Sequence, residues 1–422
     1  PEGAELAAAA HDIGKVSPYF YEKIRQACSK NTNTLLQLVG INPVLESGWG
    51  GHAGVSQVTA RAMGAPNYIP EILGQHHGFS PSVAGKRSED EIFGGAAWHA
   101  ERVALLEHLK SALGVDWPCV SSVPQARLLA GLTSVSDWIG SGQFFEDPAR
   151  PWEKNIQRAL DDAGYIPPEY KRGLFFGDIF GFAPREAQVK LIEQIVKPGV
   201  YILEAPMGAG KTEAALYAAY KMLCRGDASG IYFALPTQLT SNKIYDRFNE
   251  FLNSILSDRC NHRSLLLHGN AWLSQTELGE DGRPGGSWFN HAKRGLLAPF
   301  AVGTIDQALM AAMNVKHGFV RAFGLAGKVV ILDEVHTYDS YTGTILDALV
   351  ELLRSLNCTV IILSATLSQI RREKLVGSKL ESQHYPLITA APQDSNTFEI
   401  LIEQPPGRQV KIDWPQRDLD AV

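Results

Sequence analysis

Four things are missing or scarce in this 422-residue chain, and each bounds what it can be. Cysteine is scarce: Cys28, Cys119, Cys224, Cys260 and Cys358 are scattered and odd in number. They offer neither a disulfide framework nor a paired metal-binding spacing, which suits a reducing, cytoplasmic compartment. No apolar run approaches the length that spans a bilayer, so no membrane partner is expected. No excess of basic residues exists: Lys and Arg number 39 against 45 Asp and Glu, a net charge of −6. Any contact with nucleic acid must therefore be local rather than a global field. An initiating methionine is also absent. The chain opens Pro1-Glu2, upstream sequence is expected to be missing, and a signal peptide cannot be judged. What is present is an ordinary globular composition, long enough for about two or three domains.

The organising stretch runs from Val200 to Tyr220. Val200 to Leu203 reads as a buried strand, a glycine-bearing loop follows, and an Ala- and Leu-rich helix begins near Lys211. Strand, loop and helix in that order are the setting of a phosphate-binding loop. Gly208 and Gly210, with Ala209 between them, allow backbone N–H groups to turn onto phosphate oxygens, and the helix start adds its dipole. Lys211 can reach the terminal phosphates of ATP and the Thr212 hydroxyl can hold Mg²⁺. Ala205 stands where such loops usually carry their first glycine. A tight turn with an exposed lysine is the plain alternative.

Residues 1 to about 165 read as mostly helical. His11-Asp12-Ile-Gly-Lys15 follows an alanine run, and Gly48 to His52 is a glycine-rich turn feeding a helix to about Met63. Pro70 to Gly78 reads as a short helix carrying His76-His77 at its end. Ala96 to Leu113 reads as an amphipathic helix, whose His99 and His108 are taken as structural. Pro124 to Ile139 reads as a helix with Pro124 in its first turn and an apolar stripe of Leu128, Leu132, Val135 and Ile139. Asp137 falls off that stripe, on a small-residue face with Ala130 and Thr133. Taken singly, each histidine reads as a core or surface residue. As an ordered set, His11, Asp12, His52, His76, His77 and Asp137 suit one or two divalent transition metals, Mn, Fe, Co or Ni among them. Two metals about 3.5–4 Å apart suit phosphodiester cleavage.

After a connection around residues 141–180, whose aromatic run Phe175–Phe182 reads as a buried linker at a domain seam, apolar strands alternate with amphipathic helices as a parallel α/β sheet requires. Gly230 to Leu235 is a strand ending in Pro236-Thr237-Gln238. Lys328 to Leu332 delivers Asp333-Glu334-Val335-His336 at its end. Asp333 suits Mg²⁺, and Glu334 suits orientation and deprotonation of an attacking water. Cys358 to Leu363 is a further strand ending in Ser364-Ala365-Thr366. The segment 279–286 reads as a surface insertion.

His11-Asp12-(x)₂-Lys15, then His, His-His and Asp, closing in Ser134-Val-Ser-Asp137-Trp138, resembles an all-α HD-type metal-dependent phosphohydrolase domain. The Lys211-Thr212, Asp333–His336 and Ser364–Thr366 motifs resemble the first RecA-like lobe of a superfamily-two helicase. Together they resemble the helicase–nuclease of type I CRISPR systems over nearly the whole chain. The resemblance implies that Asp12 bridges two metals, that Lys15 sits beside the scissile phosphate, and that Gln188 reads adenine. It also implies that Pro236, Thr237, Gln238 and Thr304 touch single-stranded DNA. His336, Ser364 and Thr366 would couple nucleotide state to movement. A further ligand histidine is implied upstream of the pair, but none occurs in the ten residues before His11.

The expected organisation is an HD nuclease domain at 1–165, a RecA-like lobe with a parallel sheet at 166–395, and at 396–422 a connection toward a second lobe that does not fit in the remaining length. Phe398–Ile402 and Val410–Trp414 would begin that crossing. The implied activity is ATP-dependent 3′ to 5′ translocation on single-stranded DNA with metal-dependent cutting, after recruitment by a guide-RNA surveillance complex. A monomer is expected. The alternatives left open are an HD nucleotide phosphohydrolase fused to an unrelated ATPase, and a non-catalytic DNA- or partner-binding subunit.

Overall fold

The computed structural model describes residues 2–28, 48–146, 151–258, 264–267, 294–335 and 340–403. His336, the stretch 279–286 and the stretch 410–414 lie outside the described residues.

The amino-terminal region is helical: α1 (Ala4–Ala10), α2 (Pro18–Cys28), α3 (Gly51–Ala62), α4 (Ile69–Gly74), α5 (Gly95–Leu113), α6 (Val123–Gly140) and α7 (Glu153–Asp162). Its core gathers Leu6, Ala10, Ile13, Ile69, Leu73, Leu106 and Leu129 from five segments of the chain. Two readings of the sequence change. The Pro70 helix stops at Gly74, and Gln75–Gly78 form a turn closed by the Gly78 N–H on the Gln75 carbonyl (2.7 Å). His76 and His77 therefore escape helical periodicity, and two neighbours can serve one site. On α6 the buried face is wider than the expected apolar stripe. Val135 is buried and Leu128 and Ile139 are partly so, but Leu132 is 37% exposed, while Ala126, Ala130, Thr133 and Ser134 are buried. Partners crowd α6 from several sides, and small residues let their backbones approach. A Cβ added at Gly131 would lie 2.3 Å from the Phe323 Cβ.

The second region is an eight-stranded sheet in the order β3-β4-β2-β5-β6-β1-β7-β8. The strands are β1 (Gly199–Glu204), β2 (Ile231–Leu235), β3 (Leu265–Leu267), β4 (Phe300–Thr304), β5 (Val329–Asp333), β6 (Thr359–Ser364), β7 (Leu387–Pro392) and β8 (Phe398–Leu401). Helices α8 (Phe176–Phe180), α9 (Glu186–Gln194), α10 (Lys211–Arg225), α11 (Gln238–Ile255), α12 (Ile305–Ala312), α13 (Gly318–Leu325), α14 (Ser340–Ser355) and α15 (Gln369–Val376) accompany the strands. Strands β1 to β6 are parallel, as the alternation of strands and helices requires. The sheet is thus mostly parallel, as expected, with β7 added antiparallel to β1 and β8 antiparallel to β7. Phe398–Leu401 thus sits on the sheet of the lobe.

The inner strands are buried end to end, so they read as continuous apolar runs. Successive side chains still part to opposite faces. Tyr201, Leu203, Phe233 and Ile331 enter one core and Val200, Ile202, Tyr232 and Val330 the other. The aromatic run does not lie at the domain seam. Phe176 packs on Tyr217 and Phe180 stacks on Phe251, both on helices of the sheet region, and Phe175 is 75% exposed. The seam is made instead by α6 against α13, around Val135, Leu297, Ala298 and Val320.

Beneath that seam lies Lys328, 4% exposed, at the entry to β5. Its Nζ donates to the carbonyls of Leu296 (2.8 Å) and Ala298. Burial pushes its pKa from the usual lysine value down to about 7. In the unfolded chain the amine keeps its proton to about 10.4. Between those values the unfolded state binds the extra proton, so stability rises with pH across that window. The urea midpoint should increase from about pH 7 to about pH 9 by more in the native chain than in Lys328→Met. Equal slopes in the two proteins would remove Lys328 from this role.

Candidate metal centre and nucleotide site

The first site is assembled from four segments. His11 and Asp12 lie where α1 gives way to a 3₁₀ turn over Ile13–Lys15. His52 stands in the first turn of α3, His76 and His77 in the turn after α4, and Asp137 in the last turn of α6. Gly14 allows the first two segments to meet. Its N–H donates to Ser56 Oγ (2.9 Å), and a Cβ there would lie 1.9 Å from the His52 carbonyl oxygen. A side chain in place of that hydrogen would force the His11-Asp12 turn off α3.

All six expected donors converge. His11 Nε2 lies 3.2 Å from Asp12 Oδ2 and 3.4 Å from Asp137 Oδ1. Asp12 Oδ1 lies 3.3 Å from His52 Nε2 and 3.8 Å from His76 Nε2. His52 Nε2 is 3.4 Å from His76 Nε2 and 2.9 Å from His77 Nε2. Two ligand groups result, His11–Asp12–His76 and His52–His76–His77. They share His76, and the two oxygens of Asp12 face both, an arrangement suited to a carboxylate between two cations. Lys15 Nζ reaches Asp12 Oδ2 at 2.5 Å.

The fit to a metal is tested by atoms that geometry leaves unsatisfied. His11 Nε2 and Asp12 Oδ1 are buried and, despite their short separations, neither is aligned for a hydrogen bond. The outward nitrogens are fixed from behind. His11 Nδ1 pairs with the Ala8 carbonyl (2.6 Å) and His76 Nδ1 with the Leu73 carbonyl (2.7 Å), which leaves each Nε2 as the ligand atom. Ser134 Oγ donates to the His76 carbonyl (3.2 Å). Burial alone lowers the His11 pKa, but the facing Asp12 and Asp137 outweigh it and push it up to about 10. The field at that nitrogen therefore favours a cation. Burial, with neighbouring imidazoles, pushes His52 down to about 4 and His76 down to about 3, so both present lone pairs at neutral pH. Against burial, His11 holds the Asp12 and Asp137 carboxyls below their ordinary values. The residues present fit a divalent metal site of imidazole and carboxylate donors.

The second site lies at the carboxyl ends of β1, β5 and β6, the edge where α/β sheets bind ligands. Gly208 and Gly210 have φ of 76° and 80°, which turns the loop back onto itself before α10. Lys211 is buried, and its Nζ donates to the carbonyls of Ala205 (2.8 Å) and Pro206 (3.3 Å). Burial holds its pKa below the lysine value although Glu334 and Asp333 face it. Thr212 follows in the first turn of α10, and Ala209 packs against one core of the sheet. Asp333 ends β5, and burial with the Glu334 charge pushes its carboxyl up to about 6. Glu334 holds a left-handed backbone (φ 54°), a costly conformation for a non-glycine residue that is typical of functional turns.

Other expected residues have more local surroundings. Gln188 is fully buried: Oε1 accepts from the Arg185 N–H (2.8 Å), and Nε2 donates to the Gly210 carbonyl (2.9 Å). It braces the phosphate loop. Thr237 is exposed and caps α11 through the Thr240 N–H, with Pro236 and Gln238 beside it. The Thr304 side chain is buried at the head of α12. Ser364 Oγ donates to the Thr366 carbonyl (3.1 Å). Sequence reading missed Glu204, Arg372 and Glu399. Arg372 Nε lies 2.9 Å from Glu204 Oε2 and its Nη1 2.6 Å from Glu399 Oε1. Glu204 Oε1 accepts from the Leu367 N–H (2.7 Å). This buried network ties the strand entering the phosphate loop to the segment just after Thr366. A carboxylate closing an otherwise apolar strand was the one visible signal.

Known proteins share this arrangement. A family model described as the Cas3 HD domain matches residues 4–145, and one described as the DEAD/DEAH box helicase matches 185–374. A CRISPR-associated endonuclease/helicase Cas3 of Thermus thermophilus is 32% identical, over 98% of this chain and 50% of that protein. A CRISPR-associated nuclease/helicase Cas3 of Streptococcus thermophilus is 31% identical, over 89% and 46%. The crystal structure of T. fusca Cas3–AMPPNP superposes with a TM-score of 0.74 at 29% identity, over 96% of this chain and 51% of that one. A chain of a CRISPR RNA-guided surveillance complex, pre-nicking, gives 0.63 at 28% identity, over 94% and 46%. This chain spans about half the length of the curated relatives it matches.

The role of Gly14 can be tested on metal binding alone. Gly14→Ala should weaken Mn²⁺ binding about tenfold to a hundredfold, as loss of ligand support does elsewhere. Isothermal titration of stripped protein reads this directly, and unchanged affinity would show that the turn is not set by this contact.

Proposed function

Because the chain belongs to the Cas3 family of CRISPR-associated nuclease/helicases, we propose that its helical domain cuts single-stranded DNA at the His11–Asp137 centre and that its sheet domain is the ATP-binding lobe of the motor. The observation that carries the reading is the convergence of five donors on two overlapping ligand groups, with the sixth, Asp137, 3.4 Å from His11. His11, Asp12, His52, His76, His77 and Asp137 would hold the ions. The chemistry a divalent pair supplies is activation of water and stabilisation of the leaving oxygen. Lys15, beside Asp12 and partly exposed, is placed to neutralise the scissile phosphate.

The openness of the centre favours a polymer over a free nucleotide. His77 is exposed and Lys15, Asp12 and His52 are partly so, whereas a small-molecule pocket encloses its ligand. In the whole protein, recruitment by a guide-RNA surveillance complex and ATP-driven threading of the displaced strand would bring invader DNA to this centre. The likeness to a chain of such a complex supports that placement. In the lobe, Lys211 and the backbone around Gly208 and Gly210 would cradle the phosphates of ATP. Thr212 and Asp333 would hold Mg²⁺, and Glu334 would orient water. Arginines from a second lobe typically complete such sites.

The deciding assay is cleavage of circular single-stranded DNA without ATP, after stripping and titration with Mn²⁺, Co²⁺ or Ni²⁺. Cutting should require the metal and vanish in Asp12→Ala. Cutting that survives that substitution would place the chemistry elsewhere. For the lobe, Lys211→Ala should abolish binding of a fluorescent ATP analogue, and undiminished binding would overturn its assignment as the ATP-binding lobe.

A further inference from the structure

The turns that carry His52 and His77, the more open of the four imidazole donors, also carry aromatic and basic side chains that metal binding does not use. Trp49 lies three residues before His52, in the turn that opens α3, and Phe79 lies two residues after His77. These turns touch, since a Cβ at Gly50 would lie 2.3 Å from the Pro81 Cβ. Phe20, on α2, sets its ring edge-on to His52 with centroids 5.7 Å apart. Each aromatic residue has a lysine at hand. Lys86 Nζ lies 4.2 Å from the centre of the Trp49 ring, and Lys15 Nζ lies 5.5 Å from that of Phe20. Lys316, contributed by the motor lobe, packs its stem against Gly78, next to Phe79. Phe79 is 54% exposed, so core packing does not account for it.

We propose that Trp49 and Phe79, with Lys86 and Lys316, form a stacking rim on which bases flanking the scissile phosphate rest. The proposal rests on the nuclease reading above and extends it to how the strand is held. Alternating aromatic faces and cations is how proteins hold single strands without reading sequence, because every base has a stacking face. The chain as a whole carries a net charge of −6, so attraction for a polyanion has to come from local groups such as these. Phe20 and Lys15 continue the pattern to the edge of His52. Because Lys316 belongs to the other domain, the rim crosses the seam, and both domains contribute to one substrate path.

Stacking has a signature that charge and folding lack: it needs the base. The test compares cleavage, in Mn²⁺, of oligothymidylate about eight nucleotides long with the same strand carrying abasic sites. For the native chain, kcat/KM on the abasic strand should be lower by about fivefold to a hundredfold. The double variant Trp49→Ala/Phe79→Ala should shrink that gap to about twofold or less, and Phe79→Tyr should keep it. Phe79→Ala alone, at an exposed position, should narrow the gap without risk to folding. Equal cutting of both strands by the native chain overturns the rim and leaves the nuclease standing. So does a gap that persists in the double variant. A native chain that cuts neither strand at any metal concentration overturns the nuclease reading and the rim with it.

Discussion

The carboxylate of Asp12 faces the ring nitrogens of His11, His52 and His76, a donor cluster that a cation would bind together. His77 joins it through His52, and His11 and His76 are each held from behind by a backbone carbonyl. The helical domain can be understood as the apparatus that enforces this. Its core of alanines and leucines fixes α1, α4 and α6 against one another, and Gly14 permits the approach of α3. Proteins hold such clusters only where the surroundings over-determine them.

The motor lobe depends on a comparable constraint at lower charge density. Lys211 donates to carbonyls of its own loop, and Gln188 and Arg185 hold that loop from the side of α9. Behind it, Glu204 and Arg372 join β1 to the stretch beyond Ser364–Thr366 and, through Glu399, to the edge strand β8. A buried group of two carboxylates and one guanidinium is weak evidence for stability. Its value here is geometric, since it links the strand that leads into the Gly208–Gly210 loop to the strand nearest the end of the described chain.

The parts of this architecture legible in the sequence were those where chemistry dictates residue type at short spacing. Lys211-Thr212 after a strand, Asp333-Glu334 at the end of another, and the ordered His and Asp set all announced themselves, and the donors met as expected. What sequence could not show were contacts between distant segments. Glu204 and Arg372 look like ordinary charges until folding buries them together. Trp49 and Phe79 look like turn residues until their loops meet. The buried face of α6 proved wider than its apolar stripe, because a helix crowded from several sides also buries small residues such as Ala130 and Ser134. The direction of β7 was invisible because strand polarity is set by the connection, and both senses use the same residues. His76 and His77 were expected at a helix end, and one shortened turn gave both of them the same target.

The sheet order has a consequence for the spacing of the two motifs at its carboxyl edge. β6 lies between β1 and β5, with Ser364 beside Glu204 and Leu363 beside Asp333. The strand that launches the phosphate loop and the strand that ends in the acidic pair are thus separated by two hydrogen-bonded spacings, roughly 9.6 Å. No side-chain substitution changes that interval, because it is set by backbone pairing. It acts as a gauge for how far the loop ahead of Lys211 stands from the Asp333-Glu334 pair, a spacing fixed by strand order before any side chain is placed.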